Sequence, residues 1–330
     1  MKALVAVLLK IVTSILAVTF AVFVGVEVSI WGGFRTVVLP GGFDESSPRA
    51  QAIIEQYHLD HNVVVRYGHW IVDALNGDFG RSTRGGVAVS EVLTHRLSIS
   101  LELMLAGVLL TVLVGIPMGL WAAAWSGRRA GAIPNSILGL AQSIPVYITP
   151  VFLIWIFAVE LQWVPAAGWV RLTTSLSGNL QTLFMPAMAL AFAEIGIVGR
   201  IIRADALRVM QSDFVVAAVG KGLKPSYVLF RHVLRPASLG LLNVVGLNIG
   251  SLLSGAVIVE ILFGIGGLGQ VLLEASLSRD LYLLVGLATY LVVIYTVLNT
   301  IVDLLVFLAD PRIRRGGSQR GKRWSPPTKA

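Results

Sequence analysis

Few residues in this 330-residue chain have the type and spacing to do chemistry. Cysteine is absent, which removes disulfides and thiolate metal sites. The five histidines, His58, His61, His69, His95 and His232, are scattered. His58 and His61 are three apart, a spacing that sets two imidazoles on one helix face, but no metal site is assigned to them. No GxxxxGK[ST] phosphate loop, HExxH helix or nucleophile elbow is present, so ATP hydrolysis by the chain itself is not expected. Gly264-Ile265-Gly266-Gly267-Leu268-Gly269 matches the GxGxxG dinucleotide fingerprint. It follows a long apolar stretch instead of a strand in a parallel sheet, so a tight or re-entrant turn is expected there. No catalytic residue, bound cofactor or metal ligand is therefore expected in this chain.

The remaining chemical groups are acids set near or within apolar stretches: Glu27, Glu102, Glu194, Glu260 and Asp303. An acid at the centre of a bilayer costs about 2.5–3.5 kcal/mol on insertion scales, so each needs a partner or water. Glu27 and Glu260 fall toward one end of their stretches and Asp303 toward the other. Glu102 and Glu194 are the better candidates for facing a cavity or pore, with a neighbouring helix as the plain alternative.

The elements that must position these groups follow from composition. The chain is 55% hydrophobic and 13% charged, with a mean hydropathy of +0.79 and a net charge of +8. No Asp, Glu, Lys or Arg occurs in 11–26, 103–127, 130–159, 172–193, 236–259 or 281–302. Crossing a hydrocarbon core of roughly 30 Å takes about 20 helical residues, so these gaps predict six transmembrane helices. The fold class expected is all-α, a polytopic membrane protein. The start of the chain has the look of a secretory signal, but its apolar run continues to Trp31, and an uncleaved first helix is expected.

Charge orients the helices. Of the 26 basic residues, 18 fall before helix one, between helices two and three, between four and five, and in the tail. The positive-inside rule then places both termini in the cytoplasm, with the basic face toward anionic membrane lipid or an acidic partner. The tail has a single aromatic residue, Trp324, and no reading module, so nucleic-acid binding is not expected.

Two connections are long enough to have structure of their own. The external one, 32–96, opens on turn formers and then carries enough apolar residues for one or two short helices. The cytoplasmic one, 201–235, breaks into an extension of helix four, a short helix capped by Ser212 or Asp213, a stop at Gly222 and Pro225, and a second basic piece. Read from periodicity alone, the short helix is either an inert surface turn or a shape made for a groove in another protein. Pro134, Pro145, Pro150 and Pro186 lie inside predicted spans, where they bend helices around a cavity or simply kink the packing.

Several of these stretches, in order, resemble one family. Residues 213–223, Asp-Phe-Val-Val-Ala-Ala-Val-Gly-Lys-Gly-Leu, followed by Arg231-His232-Val233-Leu234-Arg235, resemble the EAA loop of binding-protein-dependent ABC importer permeases, in particular the oligopeptide, dipeptide and nickel group. Gly77-Asp78-Phe79-Gly80-Arg81-Ser82, Ser100-Leu101-Glu102-Leu103, Glu260-Ile261-Leu262-Phe263 with Gly267-Leu268-Gly269 and Arg279-Asp280, and Asp310-Pro311-Arg312-Ile313-Arg314 are similar to further family motifs. Val216 stands where the loop's namesake Glu would be, Gly266 replaces an expected Pro, and 32–47 lacks the Gly-Asp-Pro usual after helix one.

The resemblance implies a type I ABC importer permease of a bacterial inner membrane. It would comprise a first transmembrane helix (1–31), an external segment (32–96), a five-helix core (97–307) containing the coupling loop 201–235, and a cytoplasmic tail (308–330). The partners implied are a second related permease subunit, two ABC ATPase subunits holding ATP and magnesium, and an external substrate-binding protein delivering oligo- or dipeptides. The coupling residues implied are Asp213, Phe214, Ala217, Ala218, Lys221, Gly222, Leu223, Lys224 and Arg231. Alternatives are an importer of nickel or another small solute, a proton-coupled secondary transporter using Glu102 or Glu194, and a non-transporting scaffold.

Overall fold

The computed structural model describes residues 2–28, 51, 54–55, 58, 60–82 and 86–309, and helix accounts for most of them. Among these residues the only strand-like pairing is a single antiparallel bridge between Arg81 and Ala88. The turn-rich stretch 29–50 and the tail 310–330, with its Asp310–Arg314 motif, lie outside the described residues.

Helix α1 spans Lys2–Glu27 and α2 spans Val63–Leu75. Helix α3, Val89–Leu110, passes through a π turn at Thr111–Gly115 into α4, Ile116–Ala124. The π turn sits directly ahead of Pro117, a residue with no N–H to give to the preceding turn. Helix α5, Arg129–Ser143, and α6, Ile148–Leu153 with its π extension Ile154–Glu160, follow. Next come α7, Leu176–Met210, and the short α8, Asp213–Gly220. The chain ends in α9 (Leu234–Phe263), α10 (Leu268–Ser278) and α11 (Leu281–Ala309).

Among the described residues, three stretches are long and apolar enough to cross a membrane unaided: Val89–Ala124, Leu176–Met210 and Tyr282–Val302. The span expected at 130–159 is bent instead, whereas 236–259 runs unbroken within α9 and the chain bends after it, at the turn expected over 264–269. Arg129–Ser143 and Ile148–Glu160 meet at 112°, and Gly250–Phe263 and Leu268–Ser278 at 74°. The first bend has a plain cause in Pro145, which cannot donate to the preceding turn and disfavours helical backbone at Ile144. The second falls at Gly264 and Gly266, whose φ angles of +58° and +78° suit glycine. With each bent pair counted as one crossing the total is five, and the apolar part of α1, Val12–Gly25, is shorter than the rest. The expected count of six is therefore matched in five places among the described residues.

The chain divides into two compact units. The first comprises Met1–Thr111, Gln142–Glu194 and Gly250–Thr296. One of its cores joins Phe23 of α1, Trp70 of α2, and Tyr282 and Val285 of α11. A second joins Val89 and Leu93 of α3, Leu268 and Val271 of α10, and Leu287 of α11. Helix α2 starts at Asn62, whose side-chain oxygen accepts from the Val65 N–H at 3.0 Å. It is tied to α1 by a 2.8 Å hydrogen bond between Tyr67 Oη and Thr19 Oγ1.

The second unit comprises Val112–Ala141, Ile195–Ile249 and Val297–Ala330. Its core joins Leu120 and Ala123 of α4, Val198, Ile202 and Ala206 of α7, Val215 and Ala218 of α8, and Val228, Val233 and Ala237 beyond it. Here α4 and α7 touch through backbone. A Cβ added to Gly119 would lie 2.4 Å from the Gly199 carbonyl oxygen, and one on Gly199 would lie 2.3 Å from a Leu138 methyl. Small residues that let spanning helices approach this closely gain dispersion contacts that bulkier ones would forbid.

Gly119→Val is accordingly expected to destabilise the purified protein in detergent by about 1–3 kcal/mol or more, seen as a lower unfolding temperature. Gly139→Ala, where an added Cβ meets nothing within 4 Å, should leave that temperature unchanged or slightly raised.

Candidate functional site

Helix α8 begins after Ser212, whose backbone is extended at φ −78°, ψ 145°, and whose hydroxyl donates to the Val209 carbonyl instead of capping α8. It ends where Lys221 N donates to Ala217 O at 3.0 Å and Gly222 N to Val219 O at 2.9 Å. Gly222 takes φ +75°, a left-handed conformation that glycine enters at little cost. Pro225 then opens a short turn, Pro225–Tyr227, and a π segment, Val228–Val233, leads into α9.

The helix has one face rooted in the core of the second unit. Val215 and Ala218 are 4% and 7% exposed there. Ala218, expected alongside Ala217 to permit close approach by a partner, thus faces inward among its own chain's side chains, while Ala217 is exposed. The other face is equally apolar and uncovered: Val216 is 61% and Val219 60% exposed, with Phe214 half exposed. The same surface character continues past the turn through Leu223, Tyr227 and Phe230, and Tyr227, Phe230, Ser226 and Arg231 border an open cleft of about 440 Å³. Asp213, Lys221, Lys224 and Arg231 are all exposed. Uncovered apolar surface ringed by charge marks an interaction face.

Sequence reasoning named Phe214, Ala217, Gly222 and the cations but missed Val216, Val219, Tyr227 and Phe230 as members of this face. The inward pair, Val215 and Ala218, is spaced by three, yet it lies within the apolar run Phe-Val-Val-Ala-Ala-Val, where no polar stripe marks which side faces out.

Glu102, Glu194 and Glu260 lie in the first unit, and each has a hydrogen-bond partner. Glu102 Oε1 accepts from Asn179 Nδ2 at 2.7 Å, and the same amide donates to the Val170 carbonyl at 2.8 Å. Glu194, buried on α7, accepts from Ser251 Oγ of α9 at 3.1 Å. Glu260 is held most tightly. Its Oε2 accepts from the Gly269 N–H at 2.6 Å, and the Ser100 hydroxyl and Gln270 N–H add to it. Ser100 Oγ in turn accepts from Leu268 N at 2.9 Å, and Arg96 donates to the Gly266 carbonyl at 2.8 Å.

The glycine cluster 264–269 is therefore a cradle for the chain's own carboxylate at the start of α10. A Cβ on Gly267 would lie 2.5 Å from the Glu260 carboxylate carbon, and one on Gly269 would lie 2.6 Å from Val257 Cα. The resemblance to a dinucleotide fingerprint is one of spacing alone.

Three of the five histidines, His58, His61 and His69, gather in space but not as ligands. The His58 and His69 rings stack at 4.5 Å with an interplanar angle of 21°, and His61 lies 6.1 Å from each. Face-to-face rings do not converge their nitrogen lone pairs on one point. No group of three or more His, Cys, Asp or Glu among the described residues is placed to hold a metal.

Comparison with known proteins bears on the family and the fold. The family described as binding-protein-dependent transport system inner membrane component matches residues 115–315. The chain is 34% identical over 268 residues to the oligopeptide transport system permease protein AppB of Bacillus subtilis, covering 80% of this chain and 84% of that one. It is 31% identical over 272 residues to the oligopeptide transport system permease protein OppB of Salmonella typhimurium, covering 81% and 86%. Its fold is similar to a chain of the MetNI methionine ABC transporter in an inward-facing conformation, with a TM-score of 0.56 at 16% identity over 66% of this chain and 96% of that chain.

The Glu260 cradle yields a stability prediction. Glu260→Leu leaves the buried N–H groups at the start of α10 without an acceptor and should cost about 1–3 kcal/mol in thermal unfolding of the detergent-purified protein. Glu260→Gln, which keeps one acceptor oxygen, should cost less.

Proposed function

The chain belongs to the family of binding-protein-dependent transport system inner membrane components, and we propose that it is the permease subunit of an ATP-driven peptide importer in a bacterial cell membrane, one half of a shared translocation path. The observation that carries this reading is α8, an eight-residue helix whose inner face is fixed in its own core and whose outer apolar face is bare. Such a surface fits the groove of an ATPase subunit, with Lys221, Lys224 and Arg231 placed to pair with acidic groups along its edge. The chain has no phosphate loop, so ATP and magnesium are held by that partner and the chemistry takes place there.

Val215 and Ala218 pack with residues of α4, α7 and the start of α9. A pull on α8 therefore moves the ends of spanning helices as a block, which is how closure of an ATPase pair would rock the path between inward-open and outward-open arrangements. The bias of basic residues puts α8 and both termini on the cytoplasmic side. A second related permease completes the path, and an external binding protein supplies the peptide. Glu102 and Glu194 face that path in this proposal, offering carboxylate to the ammonium group of a passing peptide. The names of the relatives favour peptide over nickel.

The test is purification of the chain with its co-expressed partner permease and ATPase subunits, followed by ATP hydrolysis with and without peptide-loaded binding protein. Co-purification and stimulated hydrolysis are expected. Val216→Asp and Val219→Asp should insert normally into the membrane yet lose the ATPase subunits on purification. A Cβ added at Gly222 would meet nothing within 4 Å, but Gly222→Trp puts a bulky side chain on left-handed backbone at the docking surface. It should reduce peptide uptake at least tenfold at normal expression, and uptake at the normal rate would overturn the assignment.

A further inference from the structure

We infer that a cavity of about 200 Å³, walled by α2, residues 78–81 after it and Tyr282 of α11, is a binding site for the free carboxylate of a short zwitterionic peptide. The inference rests on the proposed function, since it names where the transported class of molecule first touches this chain.

Arg66 and Trp70 line the cavity from α2, one helical turn apart, and Arg81 lines it from the loop. Guanidinium groups match carboxylates in shape and charge. Arg81 Nη1 donates to the Gly86 carbonyl at 3.1 Å, which leaves the rest of its donor fork for another acceptor. Trp70 is 5% exposed, and its indole Nε1 is buried with no hydrogen-bond partner among the described residues. Indole N–H only donates, and an unpaired buried donor costs about 1–3 kcal/mol, so an oxygen acceptor arriving there would be favoured.

The cavity also presents the opposite charge. Asp73 and Asp78 line it, and Asp78 has only Oδ1 engaged, by the Gly80 N–H at 2.8 Å. Donors for a carboxylate and acids for an ammonium in one small enclosure describe a zwitterion. The volume suits a small solute and is far too little for a folded domain.

The walls are held by other contacts. Asp280 receives the Ser82 hydroxyl and, at 3.3 Å, the Leu283 N–H, which ties the loop to α11. A Cβ on Gly80 would lie 2.9 Å from the Tyr282 ring, so only glycine lets the loop lie against it. Trp70 and Tyr282 share a core with Phe23. The site is thus built on fixed elements, as a specific subsite requires.

The same carboxylate chemistry could be offered by an acidic side chain of the delivering binding protein, and the experiment separates the two. The complete permease and ATPase complex, in lipid nanodiscs without binding protein, is titrated calorimetrically with alanyl-alanine and with its C-terminal amide. The dipeptide acid should bind at least tenfold more tightly than the amide. Trp70→Phe, which keeps an aromatic ring and removes the N–H, and Arg81→Gln, at an exposed position, should each weaken the acid fivefold or more and narrow the preference over the amide. Equal binding of acid and amide by the unaltered complex, or unchanged binding by both variants, overturns the site. So does binding that appears only with the binding protein present, which would assign the carboxylate to that protein. Peptide import is measured in parallel: import without direct binding sinks this site and leaves the permease reading intact, whereas no import of any peptide by the unaltered, fully assembled complex sinks that reading.

Discussion

An eight-residue helix has too few hydrogen bonds to persist alone in water, where isolated helices shorter than about 12–15 residues are marginal. Helix α8 persists because Val215 and Ala218 are sunk into a core shared with α4 and α7. That anchorage fixes which face is left over. With Val215 and Ala218 turned inward, Val216, Val219 and Phe214 are obliged to face outward, and there is no polar face to offer instead. A helix apolar all round is stable only when both sides are covered. One cover is supplied by the chain, and in the function proposed above the other is the ATPase subunit.

The anchorage also decides what α8 can transmit. Backbone contact between α4 and α7 at Gly119 and Gly199 leaves no compressible side-chain layer between them. Force applied at α8 therefore displaces helices instead of repacking side chains, since close-packed interiors pass strain along. Gly222 ends the lever with a turn, so the basic segment beyond it leaves at an angle set by backbone conformation and not by contact.

Much of the fold was legible because membranes impose a simple rule on composition. Gaps between charges located the spans at 103–127, 172–193 and 281–302, and all three are unbroken in the structure. The same rule is blind to bends, because a charge gap reads alike whether or not the helix turns inside it. Ile144-Pro145 breaks the span at 130–159 by 112° without introducing a charge. The candidate site was legible as a motif and illegible as a surface. Gly222 and the cations stood out by type, whereas Val215 and Val216 are the same residue, and only packing tells the anchored one from the exposed one. Glu260 shows the opposite case. Its acid and its glycines were both visible in sequence, as was a turn at 264–269, but spacing does not encode that the turn brings the Gly269 N–H onto the Glu260 carboxylate.

That cradle separates the three interior acids by what they have left to give. A carboxylate can accept about four hydrogen bonds. Glu260 spends its capacity on Gly269, Gln270 and Ser100, and its exposure is 1%. It behaves as a rivet, and a passing cation would have to unmake the start of α10 to reach it. Glu102 has one hydrogen bond among the described residues, from Asn179, and is only half-buried; Glu194 has one, from Ser251. Both keep acceptor capacity. Ion pairing by such a group is worth most where water is scarce, because the alternative for a bare ammonium is apolar surroundings. Carboxylates held by a single neutral donor can turn toward a cation and back without disturbing a helix terminus. That difference in commitment, more than burial alone, is why Glu102 and Glu194 suit a translocation path and Glu260 suits its frame.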